Sequence, residues 1–559
     1  MSEQYFDLGS HTRLITTSSA QAQLWFNRGL NWCFGFNQEE AVTCFLKALE
    51  HDPKCAMAYW GVAYAAGPFY NMPWCDFSVV EATTCTQLCY DNSHKAESLA
   101  STVTAVEAAL IHALTHRFQQ DNPVSQLEFN QWDDAYADAM RKVHKDYPED
   151  SDVIALFAEA MMTRTPWKLW EVHTNTPTLG ADTIETLEIL EAAIARTQQQ
   201  GITPHPAILH LHIHVLEMSS APDQALTSAD NLADLCPEAG HMNHMPGHIY
   251  VLCGLYEKAK IASEKAIIAD RKYLEYAGPY NFYTTARCHD LHLMMYTCMF
   301  LGQFEPAMAA ANEMCGTLTR DVLEMKDRPY LAMTMEGYYS MAVHVLIRFG
   351  KWQQIVDTPM PVDPDLYCVS TSMQHYAKGV AHSALGHFDQ AEEHRNDFRD
   401  SLTRIPLDRR FFNNTAFDIL GVAEKMLDGE FEYHQGNHSI AYQHLRDGVQ
   451  RDDNLAYSEP WAWMHPPRHA LGALLLEQGH YEEAEVVYRE DLGLASTLQR
   501  CAQHPDNVWA LHGLSECLSQ RDAHQELEMI RPKLNAAMAL TDTPINSSCC
   551  CRKHTTPVS

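Results

Sequence analysis

The chain has 559 residues, 46% of them apolar and 20% charged, enough for several globular domains or one extended repeat array and too apolar for a disordered polymer. With 40 basic against 72 acidic side chains the net charge is −32, a field that repels phosphate backbones and anionic lipid and argues against nucleic acid or a membrane as partner. The opening MSEQYFDLGSHTRL lacks a signal-peptide pattern and no long apolar run occurs. The 17 cysteines, odd in number and scattered through helical segments, fit a reduced cytoplasmic chain better than a disulfide framework.

Residues 1–20 read as an N-terminal segment, and the first clear repeat spans 22–55. Numbered from Ala22, Trp25, Gly29, Trp32, Ala41, Phe45, Ala48 and Pro53 fall at positions 4, 8, 11, 20, 24, 27 and 32. Large residues at 4, 11 and 24 fill a core, small ones at 8, 20 and 27 let two helices approach, and proline at 32 ends the second helix. That set resembles the tetratricopeptide consensus. Through the rest of 21–201 helical periodicity persists, as in TVTAVEAALIHALTHRF, but the register is poor.

Central units occupy 202–320. One starts at Pro206, the next at Gly240, and another at Cys288, after an insertion around YLEYAGPYNFYT that should cap or fill the groove. Further units follow over 321–540, clearest from His465 with Gly472, Ala484 and Tyr488 in place. Residues 541–559 lose the helical pattern and read as a cysteine-rich tail. Cys549, Cys550 and Cys551 could ligate a soft metal or cap a site, but an exposed, inert tail is the favoured reading. No stretch alternates convincingly as a strand. The expected fold is all-α: a tetratricopeptide-like helical-repeat solenoid, a superhelix of antiparallel helix pairs with a concave face.

The 31 histidines are the unusual feature. His210, His214 and Glu217 take positions 5, 9 and 12 of the Pro206 unit; His241, His244 and His248 take 2, 5 and 9 of the Gly240 unit; His289 and His292 take 2 and 5 of the Cys288 unit. At 100° per residue, positions 2, 5, 9 and 12 share an arc of about 80°. Three successive helices therefore present imidazoles along one stripe. Imidazole with a carboxylate is a common ligand set for first-row metals, so these eight residues are the candidate ligands, with Glu217 also the candidate general base. Mixed histidine and carboxylate ligation suits iron or zinc, and an all-histidine subset suits copper. Eight donors exceed one ion's needs: either some orient others or face substrate, or two ions bind.

Single histidines at 51, 94, 387, 438 and 554 read as ordinary polar residues, and His344, His375, His465 and His469 as weak candidates for extending the stripe. The aromatic loops GPFYNMPW and TPWKLW read as inter-repeat packing rather than pocket walls. Phosphate-binding glycine loops and the nucleophile elbow are missing, leaving nucleotide-dependent and serine-hydrolase chemistry unsupported.

The blocks WGVAYAAGPFYN, LFAEAMM, HLHIHVLEMS, AGHMNHMPGHIYVLCGLYEKA, GALLLEQGHYEEAEVVYREDL and SSCCCR resemble those of a family of tetratricopeptide-repeat proteins of bacteria and fungi, largely without an assigned activity. The most specific match is H-M-P-x-H-I at His244 to Ile249. Where such proteins carry H-N-x-H-F-L this chain has CHDLHL, so His289 and His292 match while Asp290 replaces an amide, and Phe69 stands where an asparagine is usual.

These readings give two expectations. The first is a metal-binding repeat protein, as a metal-dependent enzyme acting on a small molecule held in the concave groove. The alternative is a protein-interaction scaffold whose histidine-lined groove holds a partner's peptide.

Overall fold

A computed structural model describes residues 5–326 and 328–552. The elements are consecutive α-helices packed as hairpins, of the tetratricopeptide type expected, and the described strands are two antiparallel ribbons of two-residue strands, Trp170–Glu171 with Thr176–Pro177 and Arg410–Phe411 with Asn414–Thr415. Among the described residues, no helix is long and apolar enough to cross a membrane.

The chain divides into two compact units. The first takes the described residues up to Ile249 with Glu264–Arg287 and Lys326–Tyr330; the second takes Tyr250–Ser263, Cys288–Met325 and the described residues from Leu331 on. The division falls inside the expected central segment, within the Gly240–Leu252 and Tyr256–Ala277 helices.

The first repeat shows why this sequence folds as it does. Ser19 caps the Ala20–Phe34 helix by accepting from the Ala22 amide, and Asn37 caps Gln38–His51 by accepting from the Glu40 amide. Phe45 sits fully buried between the backbones of Gly29 and Gly61: a Cβ at Gly29 would lie 2.7 Å from its ring, and one at Gly61 would intrude as closely. A glycine from each of two successive helix pairs thus makes the slot for the aromatic at position 24. The second unit repeats the device, with Tyr488 between Gly472 and Gly513.

One position departs from the expected core. Trp25 is only half-buried, its ring covered by the Arg28 guanidinium at 4.3 Å and the Lys47 ammonium at 4.4 Å. Phe26 goes inside instead, 5.4 Å from Phe45, while Gly29 and Trp32 of the same helix keep their consensus core positions.

The tail departs further. Ser547, Ser548, Cys551 and Arg552 are buried in the second unit, so 541–552 is a docked strap rather than an exposed, inert end. The Ser548 hydroxyl lies 2.5 Å from the Tyr488 hydroxyl and donates to the His469 carbonyl at 2.9 Å; Arg348 donates to the Ser548 carbonyl, and Arg552 pairs with buried Glu516 at 2.7 Å. Cys549 and Cys551 are disulfide-bonded, with Cys550 free between them. His554 lies outside the described residues.

Candidate metal centre

The Pro206–Glu217 helix begins with His205 as its cap and Pro206 at its first position, and every residue of it is buried. Such a helix can carry polar side chains only if each finds a partner. His212 faces Ser228 Oγ at 2.9 Å, while His210 and His214, four apart, share the opposite face. The His210 Nδ1–H donates to the Phe34 carbonyl at 2.8 Å, and burial pushes its pKa down to about 3, so the ring is neutral.

Glu217 lies one turn beyond His214 and is fully buried. Its Oε1 is 2.8 Å from His214 Nδ1, and its Oε2 is 2.6 Å from Nδ1 of His248 on the next helix. Burial drives its pKa well above the usual carboxylate value.

The Gly240–Leu252 helix supplies His241, His244 and His248 at three-, four- and seven-residue steps. Gly240 is required at its start, since a Cβ there would run into the Asp270 carboxylate and lie 2.8 Å from the Tyr283 hydroxyl. Tyr283 donates to Asp270 at 3.0 Å and accepts from the His241 amide at 3.2 Å. The expected insertion thus lengthens the Tyr256–Ala277 helix and sets a tyrosine under the ligand helix. Pro246 removes one amide from the helix interior, leaving the Met242 carbonyl without its regular partner.

The rings converge. His241 and His210 meet Nε2 to Nε2 at 3.2 Å, and His244 and His248 at 2.6 Å. One ligand nitrogen from each of His210, His214 and His241 lies within 4.8 Å of the others. All five imidazoles are at most 2% exposed. The 3.2 Å separation is near the edge of about 3.3 Å set by two nitrogens on a tetrahedral ion at about 2.05 Å.

Aromatic side chains close the cluster. Phe36, held at φ +55°, where a bulky side chain is rare, packs on His210, His214 and His241 at 4.4, 5.8 and 5.3 Å. Phe69 packs on Phe36 at 5.2 Å, and Tyr70 lies 4.9 Å from His214 with its hydroxyl accepting from the Trp167 amide. The GPFYNMPW loop, read as inter-repeat packing, therefore helps wall the imidazoles through Tyr70 and, behind Phe36, Phe69, while Trp167 of the TPWKLW loop packs on Tyr70 at 5.3 Å.

Of the eight expected residues, six are brought together in the first unit. His289 and His292 belong to the second. There His292 is fully buried, stacks on Phe412 at 5.1 Å and meets Tyr338 edge-on at 5.3 Å; burial, then the nearby His344, pushes its pKa to about 3. His289 is half-buried, and Asp290 is fully buried.

Sequence reading missed a second cluster in the first unit. His11 and His205 both reach Asp152 Oδ1, at 2.9 and 3.1 Å, while Arg13 holds Oδ2 at 2.9 Å, beside a polar pocket of about 420 Å³. Burial pushes the Asp152 carboxyl up, but the two histidine hydrogen bonds outweigh it and hold it well below the ordinary value. His205 Nδ1 accepts from the Ile208 amide, so its proton sits on Nε2, aimed at Asp152. That tautomer suits a tether for the N-terminal segment. His11 and His205 lie outside helices, where helical spacing carries no signal.

No family model matches the chain, and no curated relative matches it. Among solved structures it is similar to the TPR domain of P58(IPK), with 12% identity, a TM-score of 0.21, and 93% of this chain and 98% of that one covered. Yeast Tom70 gives 12% identity and a TM-score of 0.27 over 93% and 92%; the APC/C hetero-tetramer Cut9–Hcn1 gives 12% and 0.25 over 94% of each chain. The fold defines the protein's class, an all-α protein of tetratricopeptide-type helical repeats.

Proposed function

We propose that the first unit binds a first-row transition metal, iron, copper or zinc, through His210, His214, His241, His244 and His248. The observation that carries this reading is the use of Nδ1. In His210 that nitrogen donates to a carbonyl, and in His214 and His248 it faces an oxygen of Glu217, which, once ionised beside a bound cation, places the ring proton on Nδ1 of both and leaves Nε2 as a lone-pair donor. Imidazole ligands in metal proteins are oriented in this way. Glu217 has both oxygens on imidazole nitrogens, so its part is positioning rather than ligation or general base chemistry. Five donors again allow one ion with supporting rings or a pair of ions. Because Phe36, Phe69 and Tyr70 cover the cluster, its substrate would be a small molecule.

Plasma mass spectrometry of protein purified without a histidine tag tests this, comparing wild type with His210→Ala plus His241→Ala. Near-stoichiometric metal in wild type, lost in a variant with unchanged circular dichroism, is the expected result. Metal-free wild type, even after reconstitution, overturns it.

The second reading, a scaffold holding a partner's peptide, is favoured by the repeat architecture. It is opposed by burial, because imidazoles at most 2% exposed offer a peptide little to touch. It predicts partner binding that survives chelation.

A further inference from the structure

In the second unit, the hairpin of Cys368–Leu385 and Phe388–Leu402 carries four histidines in an antiparallel ladder. Seven residues separate His375 from His382 on the first helix, and seven separate His387, the residue before the second helix, from His394 within it, so the two rungs across the hairpin lie about two turns apart. His375 Nδ1 lies 3.0 Å from His394 Nδ1, and His382 Nδ1 lies 3.4 Å from His387 Nδ1. The His382 and His394 rings stack at 5.5 Å and 12°, joining the two rungs. Asp397, three residues beyond His394 and on the same face, brings Oδ2 to 3.7 Å from His375 Nδ1.

One ligand atom from each of His375, His394 and Asp397 lies within 4.8 Å of the others, and all three side chains are half-buried. Two imidazoles and a carboxylate that leave coordination positions open to water are a familiar first-row metal set. The 3.0 Å contact is within a few tenths of the nitrogen–nitrogen edge of about 3.3 Å on a tetrahedral ion. The charged groups facing the rings are Lys378, whose ammonium donates to the Val356 carbonyl, and Arg404, with the carboxylates of Glu393 and Asp397. His387, read from sequence as an isolated polar residue, closes the outer rung.

We propose that this hairpin is a second metal site, binding a divalent first-row cation of the zinc class through His375, His394 and Asp397. It shares no residue with the first-unit cluster and does not depend on that reading. Its ion ties one helix of the hairpin to the other, so occupancy stabilises the second unit, and its half-exposed position makes it exchangeable.

The test is calorimetric titration of the full-length protein with zinc after brief treatment with a weak chelator, comparing wild type with His375→Gln plus His394→Gln. One zinc-binding event in wild type, lost in a variant with unchanged circular dichroism, is expected, as is a zinc-dependent rise in Tm seen only in wild type. Asp397→Asn, a change at a half-exposed position, should weaken binding by about tenfold or more, since even outer contacts cost that much. Equal zinc binding by wild type and the double variant, or no zinc event in wild type, overturns the proposal. Metal retained through purification reports the first-unit cluster, so the two readings fail separately.

Discussion

Glu217 and His248, 31 residues apart and on successive helices, meet through a 2.6 Å hydrogen bond at a site where neither side chain reaches solvent. The same carboxylate orients His214 from its own helix. One buried acid thus fixes two imidazoles across a helix–helix contact.

Glu217→Gln should expose that dependence. An amide offers one acceptor oxygen and turns an N–H₂ toward the second imidazole N–H. Metal content should fall with apparent affinity lowered about 10- to 100-fold, while the helical spectrum is kept. Full metal loading of the variant would show that Glu217 has no positioning role.

Gly29→Ala should destabilise the first unit by about 1–3 kcal/mol, because the added methyl overlaps the Phe45 ring. Phe45→Ala should cost about 3–5 kcal/mol by leaving the slot empty. Denaturant midpoints for the two variants check both values, and a neutral Gly29→Ala would mean that the ring has room to move.

Truncation after Ile545 should lower Tm substantially. It leaves buried Glu516 without Arg552, and breaking a buried ion pair from one side costs about 3–5 kcal/mol. A Tm unchanged by truncation would return this segment to the status of a tail.

Stability should fall on mild acidification. His344 and His469 are buried neutral, their pKa values pushed down to about 3 and about 4, chiefly by burial. Below the ordinary histidine value of 6.5 the unfolded chain takes up protons that the folded chain refuses, so stability is lost from there toward pH 4. Asp491 acts in the same direction at lower pH. Burial raises its carboxyl, but His469 at 2.9 Å and His504 at 2.8 Å outweigh that and hold it below the ordinary 3.8, so its stabilisation is lost as pH falls through that range. The facing groups are His465, 2.9 Å from His344, and Arg348, 2.8 Å from His469. A Tm constant between pH 7 and 4.5 would contradict this.

The sequence by itself determined the helix pairs and the grouping of histidines within each helix. Both follow from local periodicity: Gly29 and Phe45 belong to one repeat, and His210 with His214, or His244 with His248, are set by a four-residue step. Only the tertiary structure decided which ring meets which across helices, that Glu217 serves two histidines, that Phe26 rather than Trp25 enters the core, and that the segment around Ser548 docks. The rungs His375–His394 and His382–His387 show the reason. Each helix repeats at seven residues on its own, but their alignment depends on how far one helix slides along the other. That slide is settled by burial of side chains distant in sequence, which no local period records.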